Sequence, residues 1–192
     1  MCSPHCLRTA GLAVLALLCL LALPDPARAE RCVEGDCANG IGTYVWDNGN
    51  SYRGGWQNDR QHGFGVYEFV TTGEHFEGEF RNGRRNGPGV QAYRSGERYV
   101  GDFQNGKRGG LGTFYWPDGT YYVGEFQNDW SHGLGVRYFM DGRVERGRWA
   151  DDRFITPMSE SEYLRAGGVL SLPGGPGGSL PPRGSGKGEG GL

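Results

Sequence analysis

A 23-residue interval governs this chain. With Gly101 as origin, Asn105, Gly110, Gly112 and Gly119 follow at offsets of 4, 9, 11 and 18, and Gly124 restarts the count after 23 residues. The same offsets lead from Gly124 to Asn128, Gly133, Gly135 and Gly142, and from Gly78 to Asn82, Gly87, Gly89 and Gly96. From Gly54 they lead to Asn58, Gly63 and Gly65, with one extra residue before Gly73. A fixed period of this length identifies stacked copies of one small unit, each completing its core only against its neighbours. The 37 glycines among 192 residues, far above the usual level of roughly 7%, hold set positions. These do not fall at every third residue, which excludes collagen.

Each copy contains two runs of period-2 patterning. Asn-Gly or Asn-Asp separates them on one side and Asp-Gly or Ser-Gly on the other, so each copy is predicted to be a β-hairpin. A helix is excluded, because Gly and Asn recur every few residues and no apolar stripe has helical spacing. Tyr99, Gly101 and Phe103 share one strand face, as do Gly110, Gly112 and Trp116 in the following strand. Glycine weakens a strand unless something covers its bare backbone. An aromatic ring lying flat over it buries ring and peptide together without a second layer. The rings of Tyr52, Trp56, Phe80, Tyr99, Phe103, Tyr122, Phe126 and Trp149 are therefore read first as structural, each burying about 150–250 Å². One flank of their row is expected to remain open as a groove for an extended peptide or a second copy. The fold class is all-β, an elongated single-layer antiparallel meander of successive hairpins.

Residues 1–29 read as a secretory signal peptide: Arg8 in a basic first segment, an apolar run from Ala10 to Leu23, and a small-x-small cleavage site at Ala27-Arg28-Ala29. The run is too short to span a bilayer, so the mature chain is expected to lack a transmembrane segment and to be secreted or periplasmic. Residues 30–154 form the array: a shortened copy at 33–50, full copies at 52–75, 76–98, 99–121 and 122–143, and a half copy at 144–154. Residues 155–166 could form a lid helix with Ser159 as N-cap and Glu162 at the capping-box position, Tyr163 and Leu164 packing on the last hairpin. Residues 167–192 are rich in Gly, Pro and Ser and are expected to be disordered.

Cleavage would leave Cys32 and Cys37 as the cysteines of the mature chain. An even pair in an exported protein favours a disulfide. The alternative, a two-cysteine metal site, has no histidine nearby in sequence to complete it. Cys37 stands where Phe80, Phe103 and Phe126 stand in later copies, so a cross-link replaces a ring at the exposed end. Without residues 1–29 the chain keeps 18 basic and 21 acidic residues, a balance unlike the strongly basic face of a nucleic-acid binder.

The pattern Tyr-x-Gly-Glu/Asp-Phe-x-Asn-Gly, followed by Gly-x-Gly and an aromatic, closely resembles the MORN (membrane occupation and recognition nexus) repeat. Its clearest forms are Tyr99-Val-Gly-Asp-Phe-Gln-Asn-Gly106 and Tyr122-Val-Gly-Glu-Phe-Gln-Asn-Asp129. The resemblance covers about residues 33–149. Gly55 and Arg148 depart from it at the acidic position, and Glu145 departs at the first aromatic. It implies a twisted meander with a groove, serving as a protein scaffold, a dimerisation device or a phospholipid-binding surface. Enzymatic activity in that family generally comes from other fused domains.

The residues themselves assign no catalytic, cofactor-binding or metal role. His62 and His132 occupy one repeat position, which explains them without catalysis, and His75 stands apart. No nucleophile elbow is present. Gly184-Ser-Gly-Lys187-Gly188 lacks the Ser or Thr of a phosphate loop, and Asp47-Asn-Gly-Asn50 is far shorter than a calcium loop. Arg60, Arg84, Arg85, Lys107 and Arg108 recur one copy apart and are expected to line one sheet edge. Such a row suits anionic lipid, although loop charges commonly serve solubility alone. The leading reading is an exported, non-enzymatic scaffold for a protein partner or for self-association. Peripheral binding to anionic phospholipid is the alternative, and an envelope enzyme comes third.

Overall fold

The computed structural model describes residues 31–172. The expected signal peptide lies outside them, as do residues 173–192 of the expected tail. Twelve strands follow in chain order: β1 (Arg31–Gly35), β2 (Ile41–Val45), β3 (Ser51–Gln57), β4 (Arg60–Phe69), β5 (Glu74–Arg81), β6 (Arg84–Ala92), β7 (Arg98–Gln104), β8 (Lys107–Tyr115), β9 (Tyr121–Gln127), β10 (Trp130–Tyr138), β11 (Val144–Ala150) and β12 (Arg153–Pro157). One helix among the described residues, α1 (Glu160–Arg165), follows them. The strands form a single antiparallel sheet in sequence order, each hydrogen-bonded to its chain neighbours. This is the predicted meander.

The turns explain the order. At one edge the pairs Asn58-Asp59, Asn82-Gly83, Asn105-Gly106, Asn128-Asp129 and Asp151-Asp152 all have positive φ. Two consecutive left-handed residues make the two-residue hairpin turn whose twist matches a sheet, and Asn, Asp and Gly tolerate it best. Each tip also bonds to the preceding one: the amides of Asp59, Gly83, Gly106, Asp129 and Asp152 donate to the carbonyls of Ala38, Gln61, Arg85, Arg108 and Ser131 at 2.8–3.1 Å. Copies are thereby stapled together at their tips as well as along their strands.

Across the sheet runs a ladder of eleven glycines. Gly35, Gly42, Gly54, Gly65, Gly78, Gly89, Gly101, Gly112, Gly124, Gly135 and Gly147 pair in turn from β1 to β11. The first aromatic of each full copy lies over this ladder. A Cβ on Gly112 would have three atoms of the Tyr99 side chain within 2.6 Å, and one on Gly101 would meet the Tyr99 hydroxyl and the Gly112 backbone. Tyr52, Tyr99 and Tyr122 then reach over their glycine to donate to the carbonyls of Gly55, Asp102 and Glu125 at 3.0, 2.9 and 3.1 Å. Each of these rings also meets two others edge-on. Tyr99, for example, lies 5.1 Å from Phe103 at 89° and 5.0 Å from Phe126 at 79°. The zigzag continues from Trp56 to Trp149 and forms one contiguous buried cluster.

Bulges interrupt the register between Gly101 and Phe103, and equivalently between Gly54 and Trp56 and between Gly78 and Phe80. There the first residue of each Gly-x-Gly takes positive φ, and the acid of the preceding strand lies against it. Cβ atoms on Gly87, Gly110 and Gly133 would meet the side chains of Glu79, Asp102 and Glu125. Glu125 accepts the Leu134 amide at 3.0 Å, and Asp102 accepts that of Leu111. Burial nonetheless holds the Asp102 carboxyl above the ordinary range, with the Leu111 amide opposing the shift.

Candidate functional site: the two faces of the sheet

Strand alternation gives the sheet an aromatic face and an opposite face. On the aromatic face, the eight rings expected to border an open groove are buried, from 0% exposed at Tyr52, Tyr99 and Tyr122 to 9% at Trp56. Phe76 joins them. Their flank is not free, because the even-numbered strands, β12 included, and the residues just after them contribute a second row, of which the sequence reading named only Trp116. Tyr44, Trp46, Tyr67, Phe69, Tyr93, Phe114 and Trp116 pack partly buried against the first row, and Phe154 of β12 does the same at its end. This second row is the aromatic surface solvent can reach. Hollows of ≈ 310 Å³ beside Tyr67 and Phe69 and ≈ 120 Å³ beside Phe114 and Trp116 open along it.

The basic row divides. Arg60, Arg84 and Lys107 are exposed at the hairpin tips. Arg85 and Arg108 do not join them at the edge, because they pair with Phe80 and Phe103 and so face the rings. The Arg85 guanidinium lies 5.1 Å from the Phe103 centroid and 5.5 Å from that of Phe76. It donates to the side-chain oxygen of Gln91 and, at 2.5 Å, to the Gly106 carbonyl. Arg108 lies 4.9 Å from the Phe114 centroid and is fastened to Asp129. Arg137, not anticipated, fits between Trp116 and Trp149 at 4.7 Å from each. Burial lowers the proton affinity of Arg85 and Arg137, yet arginine stays charged. These cations are bound into the sheet by ring contact. The exposed tip row therefore reads Arg60, Arg84, Lys107, Trp130 and Arg153, with Trp130 51% exposed.

Cys32 and Cys37 form a disulfide, with S–S 2.02 Å and Cα–Cα 5.9 Å. Cys37 packs against the ring cluster at its first strand. Among the described residues no three His, Cys, Asp or Glu side chains are grouped to hold a metal. None of the described helices is long and apolar enough to cross a membrane.

The opposite face differs between its two ends. Near the carboxyl end, Ser159 and Glu162 form the predicted capping box and α1 packs on the sheet. Tyr163 is fully buried, its hydroxyl pushed up to about 12 by that burial. Leu164 is 47% exposed and does not take part in this packing. Residues 167–170, expected to belong to a disordered tail, turn back beneath the Tyr163 ring. The amides of Gly167 and Gly168 bond to the carbonyls of Leu164 and Tyr163, while the Tyr163 and Tyr138 hydroxyls donate to those of Val169 and Leu170. The ring lies over Gly168, where a Cβ would collide with it. Glu160 pairs with Arg146 of β11 at 3.1 Å, and Leu134 and Val136 are 9% and 0% exposed.

Near the amino end none of the described residues covers the same face. A groove of ≈ 640 Å³ is lined by Ile41, Arg53, Gly55, His62, Phe64, Val66 and Glu77. The departure at Gly55 creates it: with no acid in that strand, the space over Gly63 is empty where Gly87, Gly110 and Gly133 each carry a carboxylate.

A single sheet built of near-identical hairpins, stapled at their tips and cored by rings on glycine, defines a non-globular repeat protein. The family model for the MORN repeat matches residues 38–51, 52–73, 76–98, 99–121 and 122–142. Over half of the sequence is covered, and the chain belongs to the MORN repeat family. A search of curated proteins gave no match. Among solved structures, the TCP domain of Drosophila melanogaster SAS-4 (dCPAP), solved with a proline-rich motif of Ana2 (dSTIL), is similar at 12% identity and a TM-score of 0.33. That match covers 76% of this chain and 86% of that one. A likeness so slight has no bearing on function.

Proposed function

We propose that this chain is an exported, non-enzymatic scaffold whose sheet faces bind a protein partner. The observation carrying this reading is the half-buried second aromatic row, from Tyr44 to Phe154, packed against the buried row beside it. Aromatic side chains packed in this way give contact area at small entropic cost. Membership of a repeat family that commonly mediates protein or lipid interactions supports the same reading. Export rests on the signal-like residues 1–29 and on a disulfide that suits an oxidising compartment. The test is affinity capture from native medium or envelope, comparing the native chain with a Tyr67→Ser/Phe69→Ser variant whose folding is checked by circular dichroism. Partners retained by the native chain and lost by the variant support the scaffold, and capture of none removes it.

A second reading, peripheral binding to anionic phospholipid, is favoured by one observation: exposed Trp130 stands in the tip row among Arg60, Arg84, Lys107 and Arg153. A tryptophan beside cations suits a lipid interface. Sedimentation with phosphatidylserine vesicles at low salt, with and without Trp130→Ser, decides it. Failure to sediment at low salt excludes this reading.

A further inference from the structure

The groove near the amino end and the covered surface near the carboxyl end are the same surface, three copies apart. Phe64 occupies the position of Leu134, Val66 that of Val136, and Glu77 that of Arg146. At the later position the chain covers its own face, with Tyr163 as the buried anchor and Glu160 as the partner of Arg146. At the earlier one nothing described covers it. Ile41 is 72% exposed and Phe64 36%, against 9% for Leu134, and the Nδ1 atom of His62 is buried in the wall without a hydrogen-bond partner.

Charge tells the two apart. Where the covered surface has Arg146, the open groove has Glu77, and where it has Val123 the groove has Arg53. Among the described residues neither Glu77 nor Arg53 is in an ion pair with another side chain. A copy of the chain's own segment laid in this groove would set its Glu160 against Glu77. Like charges in contact are unfavourable, so the groove selects against α1 of a second copy and for a segment of opposite charge.

We infer that the groove between Ile41 and Glu77 docks a short helical segment of a partner protein that carries Lys or Arg three residues before a Tyr or Phe. The aromatic would enter over Phe64 and Val66, the counterparts of the buried Leu134 and Val136, and the base would meet Glu77 as Glu160 meets Arg146. This inference rests on the scaffold reading and names the partner's chemistry at one place on it.

The probe is a fluorescent peptide spanning residues 157–170 with Glu160→Lys, titrated into the full chain and followed by anisotropy, beside the same peptide with its native Glu160. The Lys peptide binds at least about tenfold more tightly, a difference that shrinks as salt is raised. In a Glu77→Lys protein the preference inverts. Ile41→Asp, at a well-exposed position, weakens both peptides while leaving the melting temperature unchanged. Equal binding of the two peptides, no inversion in Glu77→Lys, or no saturation at millimolar peptide overturns the inference. The scaffold reading is judged separately by partner capture. A partner retained by both Glu77→Lys and Ile41→Asp but lost on Tyr67→Ser/Phe69→Ser leaves the scaffold standing and removes the groove.

Discussion

What a glycine contributes here depends on what lies over it. Gly112 sits beneath the Tyr99 ring, whereas Gly106 has nothing within 4 Å of the place a Cβ would occupy. Gly112→Ala must displace a ring locked on both sides, and overpacking of that kind costs about 3 kcal/mol. Gly106→Ala meets only the strain of its positive φ, about 1 kcal/mol. Urea denaturation of the two variants should separate them in that order, and equal losses would mean that ring-on-glycine packing is not what fixes these positions. The tyrosine hydroxyl gives a finer measure. Tyr99→Phe removes the bond to the Asp102 carbonyl and should cost about 1 kcal/mol, while Phe76 already lacks a hydroxyl in its own copy. Arg85 and Arg108 show where side-chain placement was hard to read. Each follows another cation, Arg84 or Lys107, and the pairs look alike as loop charge. Alternation sends only the second member of each pair toward the rings, a signal the sequence carries once the turn is fixed at Asn-Gly.

Among the elements, α1 is the one most dependent on its ends. Six residues cannot hold a helix alone. The capping box makes up part of the deficit, with the Ser159 oxygen accepting the Glu162 amide and the Ser159 amide donating to the Glu162 carboxylate at 2.9 Å. Ser159→Ala should cost about 1 kcal/mol, read as faster hydrogen exchange of the amides of Tyr163 and Ala166. The Glu162 carboxyl is held below its ordinary range by the Ser159 side chain first and its backbone second. A depressed folded pKa adds stability that is present above the unfolded value and is lost as pH falls through the folded one. Protection of the α1 amides, relative to intrinsic exchange at the same pH, should therefore fall below about pH 4, ahead of the sheet, and an α1 insensitive to acid would rule the carboxylate out. The cap was legible as Ser-x-x-Glu at the right place. The anchor was only half legible, because Tyr163 and Leu164 are adjacent apolar residues and burial of one was decided by Gly168, which leaves the space its ring fills.

At the scale of the whole molecule, period and turn chemistry told nearly all of the topology, since each hairpin contacts the next and no distant strand has to be found. They did not tell what the faces do. The open groove follows from the missing acid at Gly55, a departure visible in the repeat but uninterpretable until the carboxylates of the other copies were seen to fill that space. The same neighbour-only connectivity makes stability local, as in a one-dimensional array. Among the described residues β1 is the edge strand of the sheet and is exposed throughout, and a bulge between Cys32 and Glu34 breaks its pairing with β2. Bulges of this kind discourage further strand addition. The disulfide supplies what packing does not, about 2 kcal/mol by the chain-entropy model for so small a loop. Replacing both cysteines by serine should therefore raise hydrogen exchange in β1 and β2 and leave β7 to β10 unchanged, because the amide of Trp56 still holds the Gly40 carbonyl at 2.8 Å and its indole still holds that of Gly42 at 3.2 Å. If exchange instead rose uniformly to β10, the sheet would be unfolding as one cooperative unit, and the tip staples would couple copies more strongly than the ring contacts between neighbours allow.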